Sequence, residues 1–289
     1  MTTEKHIDET TGTETTGHEW DGIKELNTPL PRWWLWTFYT SIVFALGYTI
    51  AYPAWPVTLG SATTGLLGYT GRGELQAELA DAQKAQGKFI DKIAALPVAQ
   101  VEADPELAKF ATAAGKSLFK VNCAQCHGSG AAGALGYPNL NDDDWLWGGT
   151  IDQIYATIAH GARSADPDAH YNIMPNFGTD ALLTPAQIQT VAKEVASFTG
   201  IDGGADTPEG QQLFADNCAS CHGDKGIGNA DVGGPALNDK IWLYEGSLAA
   251  IEAQITHPRH GVMPAWGSRL GDTAVKELAV YVHGLGGGK

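Results

Sequence analysis

The cysteines of this chain constrain its fold more than any other feature. All four lie in two CxxCH motifs, at residues 123–127 and 218–222. Two thiols one helical turn apart can add to the two vinyl groups of one porphyrin, and the histidine that follows can reach the iron. The motifs therefore predict two covalently bound haem c groups. The residues assigned to them are the attachment sites Cys123, Cys126, Cys218 and Cys221 and the iron ligands His127 and His222.

Three other uses of paired cysteines fit this sequence less well. A zinc site built from two CxxC units typically separates them by about 15–20 residues, whereas Cys126 and Cys218 are 92 positions apart. A thioredoxin-like pair lies among strands and crossover helices, and the flanks of both motifs have helical and loop patterns instead. A disulfide framework would need neither histidine.

The residues around the two motifs repeat along the chain. GKSLF at 115–119 matches GQQLF at 210–214, which lies 95 positions later, and beyond the motifs Pro138 matches Pro235 at an offset of 97. Such matches over a hundred residues indicate one domain that has been duplicated. We predict an all-α fold with two tandem class I cytochrome c domains, at residues 105–201 and 206–289.

The two methionines beyond the start residue predict the sixth ligand of each iron. Met174 and Met263 both precede a proline, and they follow the CxxCH histidines by 47 and 41 positions. Ligation by histidine and methionine leaves iron six-coordinate and raises its potential, which suits electron transfer. These intervals do not decide whether each methionine serves its own domain or the other one. Four loop histidines offer alternative ligands, namely His160, His170, His257 and His260.

The repeat also predicts neighbours of the iron ligands. The carbonyl of Pro138 or Pro235 can accept the Nδ1–H of a proximal histidine, which leaves Nε2 facing iron. An ordinary turn is the alternative for each proline. Arg163 and Arg259 precede the two methionines, and their guanidinium groups either pair with haem propionates or face solvent.

The N-terminal part of the chain predicts a single membrane anchor. Residues 33–52 contain no charge and carry aromatic residues at both ends, and 20 such residues cross a hydrocarbon core of roughly 30 Å. The segment before it is long and acidic, unlike a signal peptide, and its composition favours disorder until a partner binds. The predicted segments are an acidic cytoplasmic tail at 1–32, a transmembrane anchor at 33–54 and a periplasmic linker with an amphipathic helix at 55–104.

Location and charge restrict the partners. Covalent haem attachment in bacteria takes place outside the plasma membrane, so we expect a single-pass inner-membrane protein with its N-terminus inside and its haem domains in the periplasm. Residues 101–289 carry 22 acidic against 11 basic side chains. An acidic surface attracts basic partners, which favours a cationic cytochrome c as the electron donor. Nothing in the sequence indicates binding to nucleic acid.

Several segments resemble the dihaem subunit III of cbb3-type cytochrome c oxidases. They are residues 21–34, 52–56 and 142–148 and both CxxCH domains. The resemblance implies a non-catalytic subunit that relays electrons from cytochrome c toward a monohaem subunit and the catalytic subunit of a proton-pumping oxidase, which reduces oxygen to water. It also implies crossed ligation, with Met174 on the haem of Cys218 and Cys221 and Met263 on that of Cys123 and Cys126.

Two other functions stay open at this point. A membrane-tethered dihaem carrier could serve a different respiratory complex, such as a dehydrogenase or a nitric oxide reductase. A dihaem peroxidase fits less well, because peroxide chemistry needs an iron with an open or releasable site and each haem here has a methionine available.

Overall fold

The computed structural model describes residues 6–58 and 61–287. The chain divides between Ala85 and Gln86 into two compact units, each taken by itself below. Residues 1–5, 59–60 and 288–289 of the predicted tail, linker and second domain lie outside the described residues.

A β-hairpin precedes the candidate anchor in the N-terminal unit. Strands β1 (Thr15–Trp20) and β2 (Ile23–Leu26) are antiparallel. Asp21 and Gly22 join them with φ values of 49° and 82°, as the favoured two-residue hairpin turns require. The expected disorder of the acidic tail is therefore wrong for these residues, because the Asp-Gly turn brings together two segments that can pair.

The candidate anchor is helix α1 (Arg32–Ala51). It begins directly after Pro31, none of its residues is buried, and it is the one helix among the described residues whose length and composition allow it to cross a membrane. Strands β3 (Pro56–Thr58) and β4 (Ser61–Ala62) form a short antiparallel pair after it. Helix α2 (Gly71–Ala95) follows, where the sequence predicts an amphipathic helix.

The C-terminal unit is helical. Its helices are α3 (Val98–Ala103), α4 (Pro105–Asn122), α5 (Ala124–His127), α6 (Ile151–His160), α7 (Pro185–Thr199), α8 (Pro208–Asn217), α9 (Ala219–His222), α10 (Leu248–Thr256), α11 (Gly267–Leu270) and α12 (Asp272–His283). Local sequence sets several of the starts. Asp104 caps α4 by accepting hydrogen bonds from the backbone N–H groups of Glu106 and Leu107. A threonine followed by a proline is a sequence pattern that predicts a helix start, and at α7 Thr184 precedes Pro185 and forms a capping box with Gln187.

Two hydrophobic cores organise this unit, and each combines helices from both repeats. The first module consists of α3, α4, α6 and α12, and its core includes Phe119, Ile154 and Leu278. The second module consists of α7, α8 and α10, and its core includes Val191 and Phe214. The last helix of each sequence repeat therefore packs in the module that contains the CxxCH motif of the other repeat.

Each copy keeps the order helix, CxxCH motif, loop, methionine and closing helix that its sequence predicts, but its closing helix packs in the other module. The predicted boundaries at 105–201 and 206–289 describe the sequence repeat, whereas the hydrophobic packing crosses them. The physical reason is that α7 and α12 present similar apolar stripes, which include Ile188, Val191 and Val195 on α7 and Val275, Leu278 and Val282 on α12. Either helix is therefore suited to pack on either CxxCH helix. The predicted helical class with one candidate spanning helix is confirmed.

Candidate functional site

Each CxxCH motif lies at a break between a long helix and one short helical turn. Helix α4 runs to Asn122, and α5 continues from Ala124 to His127. The second motif repeats the arrangement, because α8 ends at Asn217 and α9 runs from Ala219 to His222. The first cysteine of each motif therefore lies at the break, and the second cysteine and the histidine lie on the short turn that follows it, a compact arrangement that suits attachment to one porphyrin.

A proline carbonyl holds each proximal histidine. His127 Nδ1 lies 3.0 Å from the carbonyl oxygen of Pro138, and His222 Nδ1 lies 3.0 Å from that of Pro235. Because a carbonyl only accepts, each imidazole donates from Nδ1 and keeps the lone pair of Nε2 for a ligand. The predicted role of the two prolines is thereby confirmed.

The first cavity joins the first CxxCH motif to the second methionine. It has a volume of about 260 Å³, and its lining includes Cys123, Cys126, His127 and Met263. Apolar side chains form most of its remaining wall: Phe119, Leu140, Ile154, Ile158, Trp266 and Leu278.

The second cavity has the reciprocal composition. It has a volume of about 480 Å³, and its lining includes Cys218, Cys221, His222 and Met174. Its apolar wall contains Phe177, Val195, Phe214, Leu237, Trp242 and Ile251. Each methionine thus faces the cavity of the other repeat's CxxCH motif, an arrangement that the sequence intervals left open.

Backbone contacts keep Met263 at the first cavity. Its N–H donates to the carbonyl of Ala162 and its carbonyl accepts from the N–H of Ala162, both at 3.0 Å. Gly161 makes this approach possible, because a Cβ atom there would lie 2.2 Å from the Met263 carbonyl oxygen. A side chain larger than hydrogen at position 161 would therefore push the methionine loop away.

A side chain performs the corresponding task for Met174. Its backbone N–H donates to His260 Nε2 at 3.0 Å. Sequence reasoning listed His260 among alternative iron ligands and missed this role. The signal available was its position three residues before Met263, which gave no indication of contact with the distant Met174.

Burial shifts the pKa values of the motif side chains toward their uncharged forms. Desolvation lowers the pKa of His127 and of His222, which favours the neutral form of both imidazoles. Desolvation, followed by the neighbouring cysteine, raises the pKa of Cys123 and of Cys218 to about 11. These sites favour uncharged sulfur, so a thioether link to porphyrin fits them better than a thiolate metal site.

The other candidate histidines have partners within the protein. His160 Nδ1 lies 3.1 Å from Asp166 Oδ1, and His170 stacks on Trp147. His257 Nδ1 lies 3.4 Å from the hydroxyl of Thr179. Within the described residues none of these three histidines lines either cavity, whereas His260 lines the second.

The two arginines singled out by the repeat lie in different environments. Arg163 lines both cavities, and its guanidinium group donates to the carbonyls of Gly261 and Asn172 at 2.6 and 3.3 Å. Arg259 lines the second cavity alone and lies over the ring of Tyr244, 4.2 Å from its centroid. The two arginines are therefore not equivalent.

Comparison with known proteins agrees with this geometry. A family model described as the N-terminal domain of cytochrome oxidase-cbb3, FixP, matches residues 12–58. A second, described as cytochrome c oxidase, cbb3-type, subunit III, matches residues 110–193 and 205–282.

Full-length relatives carry the same description. The chain is 56% identical over 287 residues to the cbb3-type cytochrome c oxidase subunit FixP of Sinorhizobium medicae, covering 99% of this chain and 98% of the relative. It is 50% identical over 277 residues to the subunit CcoP of Cereibacter sphaeroides, covering 95% of each. The chain therefore belongs to the family of subunit III of cbb3-type cytochrome c oxidases, an electron-transport family whose members are named FixP or CcoP.

Proposed function

We propose that this chain is the non-catalytic electron-transfer subunit of its oxidase and holds two covalently bound haem c groups. One observation carries the proposal: two apolar cavities each combine a CxxCH motif with one methionine. A bound haem c supplies a one-electron Fe(III)/Fe(II) couple. The chain would receive electrons from a cytochrome c and deliver them to the monohaem and catalytic subunits.

The residues of the chain have separate tasks in holding the two groups. Cys123 and Cys126 would attach the first haem and Cys218 and Cys221 the second. The iron of the first haem would be held by His127 Nε2 and Met263 Sδ, and that of the second by His222 Nε2 and Met174 Sδ. The crossed pairing is supported by the lining of the two cavities. Their apolar walls would exclude water and keep the potentials high.

This ligand set supports a relay rather than an enzyme. A peroxidase needs an iron position that substrate can reach, whereas a histidine and a methionine would occupy both axial positions of each iron. The side chains that line the cavities are mostly apolar. Oxygen reduction would therefore take place in another subunit.

Helix α1 is proposed to anchor the chain in the bacterial inner membrane. A 20-residue helix rises about 30 Å, the thickness of a typical hydrocarbon core, and α1 has 20 residues. The N-terminal hairpin would then lie in the cytoplasm and the cytochrome domains in the periplasm, where haem attachment occurs. A periplasmic unit with an acidic surface would attract a basic cytochrome c.

Purification of the complex from membranes tests the proposal. We expect two haem c groups per chain, an absorption band at the red edge that marks methionine bound to ferric iron, and large polytopic and monohaem subunits in the same complex by mass spectrometry. A single haem, a high-spin iron that turns over peroxide, or copurification with a dehydrogenase or a nitric oxide reductase would contradict it. Variants with Ser in place of both cysteines of one motif provide the one-haem control.

A further inference from the structure

We propose that Arg163 is a positively charged group shared by the two haem sites, and that it raises the reduction potential of both. The inference rests on the proposed function, because it assumes a haem in each cavity. It goes further by assigning a residue that tunes both irons together.

The position of Arg163 between the cavities is the first observation. It follows α6 on a loop, with φ at 55° in the left-handed region, and it lines both cavities. Its Nε donates to the carbonyl of Gly261 at 2.6 Å and its Nη1 to the carbonyl of Asn172 at 3.3 Å. Gly261 and Asn172 each lie two residues before a methionine, so the guanidinium group is fixed to both methionine loops.

The charge of Arg163 has no protein counter-ion in the described part of the chain. The ion pairs found among the described residues do not include it, and both of its hydrogen-bond acceptors are neutral carbonyls. Its side chain is half-buried, where the field of a charge is screened less than in water. The unpaired charge therefore acts on whatever occupies the two cavities.

The common wall of the two cavities contains few charges. Within the described residues, Arg163 and Asp144 are the charged side chains that line both cavities. The rest of the common wall contains no Asp, Glu, Lys, Arg or His: it consists of Tyr137, Pro138, Asn139, Leu146, Leu243 and Gly261. Arg163 and Asp144 should therefore act on both sites with opposite signs.

The direction of the effect follows from the charge change on reduction. Each iron gains one electron and the site becomes more negative by one charge. Burial lowers the pKa of Arg163, but a guanidinium group stays protonated in proteins, so its charge does not change on reduction. A nearby cation stabilises the more negative state. Arg163 therefore favours the ferrous form in both sites.

Two other arginines provide matched controls. Arg259 lines the second cavity alone, and Arg269 lines the first alone. Both guanidinium groups lie over an aromatic ring, that of Tyr244 and that of Trp266. Replacing either by Gln removes one positive charge, as at position 163, but the structure gives it contact with only one site.

Redox titration of the intact complex, followed by haem absorption, tests the proposal. We expect Arg163→Gln to lower both midpoint potentials, Arg163→Lys to restore most of the loss, and Asp144→Asn to raise both. Arg259→Gln and Arg269→Gln should each shift one haem only. All the replacements at position 163 carry a side chain, so the cost of its left-handed backbone is similar in each.

Three outcomes would overturn the proposal. They are potentials unchanged in Arg163→Gln, a shift confined to one haem, and a loss of the methionine–iron band that Arg163→Lys does not reverse, since the last would make the role structural. Haem content and copurifying subunits are measured on the same samples. A failure of the proposed function would appear there in the unmodified chain, whereas a failure of this inference would appear with two haems present.

Discussion

The first and second modules share their haem-facing frame but differ in what surrounds it. In both, a proline carbonyl lies 3.0 Å from the proximal Nδ1. In both, the asparagine before the motif, Asn122 or Asn217, donates from Nδ2 to a backbone carbonyl four residues earlier at 2.9 Å. Duplication has kept the parts that hold the proximal ligand.

The surroundings of the frame have diverged. In the first module Lys276 Nζ donates to the carbonyls of Ile93 and Ala94 at 3.2 and 3.1 Å and pairs with Asp272 at 2.7 Å. The matching helix of the second module has Glu194, which accepts the backbone N–H of Thr207 at 3.3 Å. The geometry around the motif histidine is therefore repeated, whereas these contacts of the closing helices α12 and α7 differ between the two modules.

The largest effect is expected from paired substitutions, which show which methionine binds which iron. Met263→Leu combined with His127→Gly removes both ligands of one haem in the crossed arrangement, so half of the methionine–iron band should remain. Met263→Leu combined with His222→Gly should abolish the band. The measurement is near-infrared absorption with haem staining as the control for attachment. The reverse pattern would show that each methionine serves its own repeat.

Two equivalent glycines should respond unequally to a methyl group. A Cβ atom at Gly115 would lie 2.1 Å from the Glu277 backbone carbonyl oxygen, whereas at Gly210 its nearest neighbour is the Glu194 carboxylate at 3.0 Å. A backbone cannot yield as a side chain can, so Gly115→Ala should cost about 1–3 kcal/mol of unfolding free energy.

Gly210→Ala is the matched control for that measurement. A modest rearrangement of Glu194 should be offset by the helix-propensity gain of about 0.5–1 kcal/mol, which leaves stability nearly unchanged. The temperature at which the methionine–iron band is lost measures the stability of both variants. Equal losses would mean that the two helix crossings are alike.

The buried acid of α12 should make stability depend on pH. Desolvation raises the pKa of Glu277 from an ordinary value of 4.5 to about 7. The folded chain then holds a proton that the unfolded chain releases, so stability falls as pH rises from about 4.5 to 7. Glu277→Gln should remove this slope and gain on the order of 1–2 kcal/mol at pH 8 relative to pH 5.

Glu194 is the comparison for that experiment. Burial also raises its pKa, but the hydrogen bond from Thr207 lowers it in part. Glu194→Gln should therefore change the pH slope less than Glu277→Gln. Melting temperatures of the two variants across this pH range decide the matter, and an unchanged slope in Glu277→Gln would contradict the assignment.

The smallest expected effect concerns the hold on Met174. His260→Ala removes a hydrogen bond worth about 1 kcal/mol, so an added ligand such as imidazole should displace the second haem's methionine roughly fivefold more easily. The first haem should not change, because Met263 is held by backbone groups of Ala162. His257→Ala, which lies outside both cavities, is the control. Equal displacement at both haems would rule out this role.

Sequence reasoning identified the local features of the sites. The motif cysteines and histidines, Pro138 with its counterpart, and the Thr184 helix start depend on neighbours within about a dozen residues. Contacts between residues this close along the chain can be predicted from the sequence. The helical class and the single candidate anchor followed in the same way from periodicity and hydropathy.

Long-range choices were not available from the sequence. The exchange of α7 and α12 depends on which of two equivalent apolar faces each helix meets, and His260 contacts a methionine 86 positions away. The N-terminal hairpin was missed because composition favoured disorder, although the Asp21-Gly22 turn was a signal for it. The role proposed for Arg163 at both cavities could not be predicted, because the sequence does not show that the two cavities share a wall.

Because the closing helices are exchanged, the two modules are completed in a set order during synthesis of the chain. Met174 precedes the second motif, whereas Met263 follows His127 by 136 positions. Because the chain is synthesised from its N-terminus, every part of the second module, through α10, is made before the methionine and α12 of the first module. The cavity whose cysteines are made first is therefore the last to be completed. A chain cut after residue 257 would lose Met263 and α12 from the first module, whereas the second module would keep Met174, α7, α8 and α10 and lose the hydrogen bond from His260.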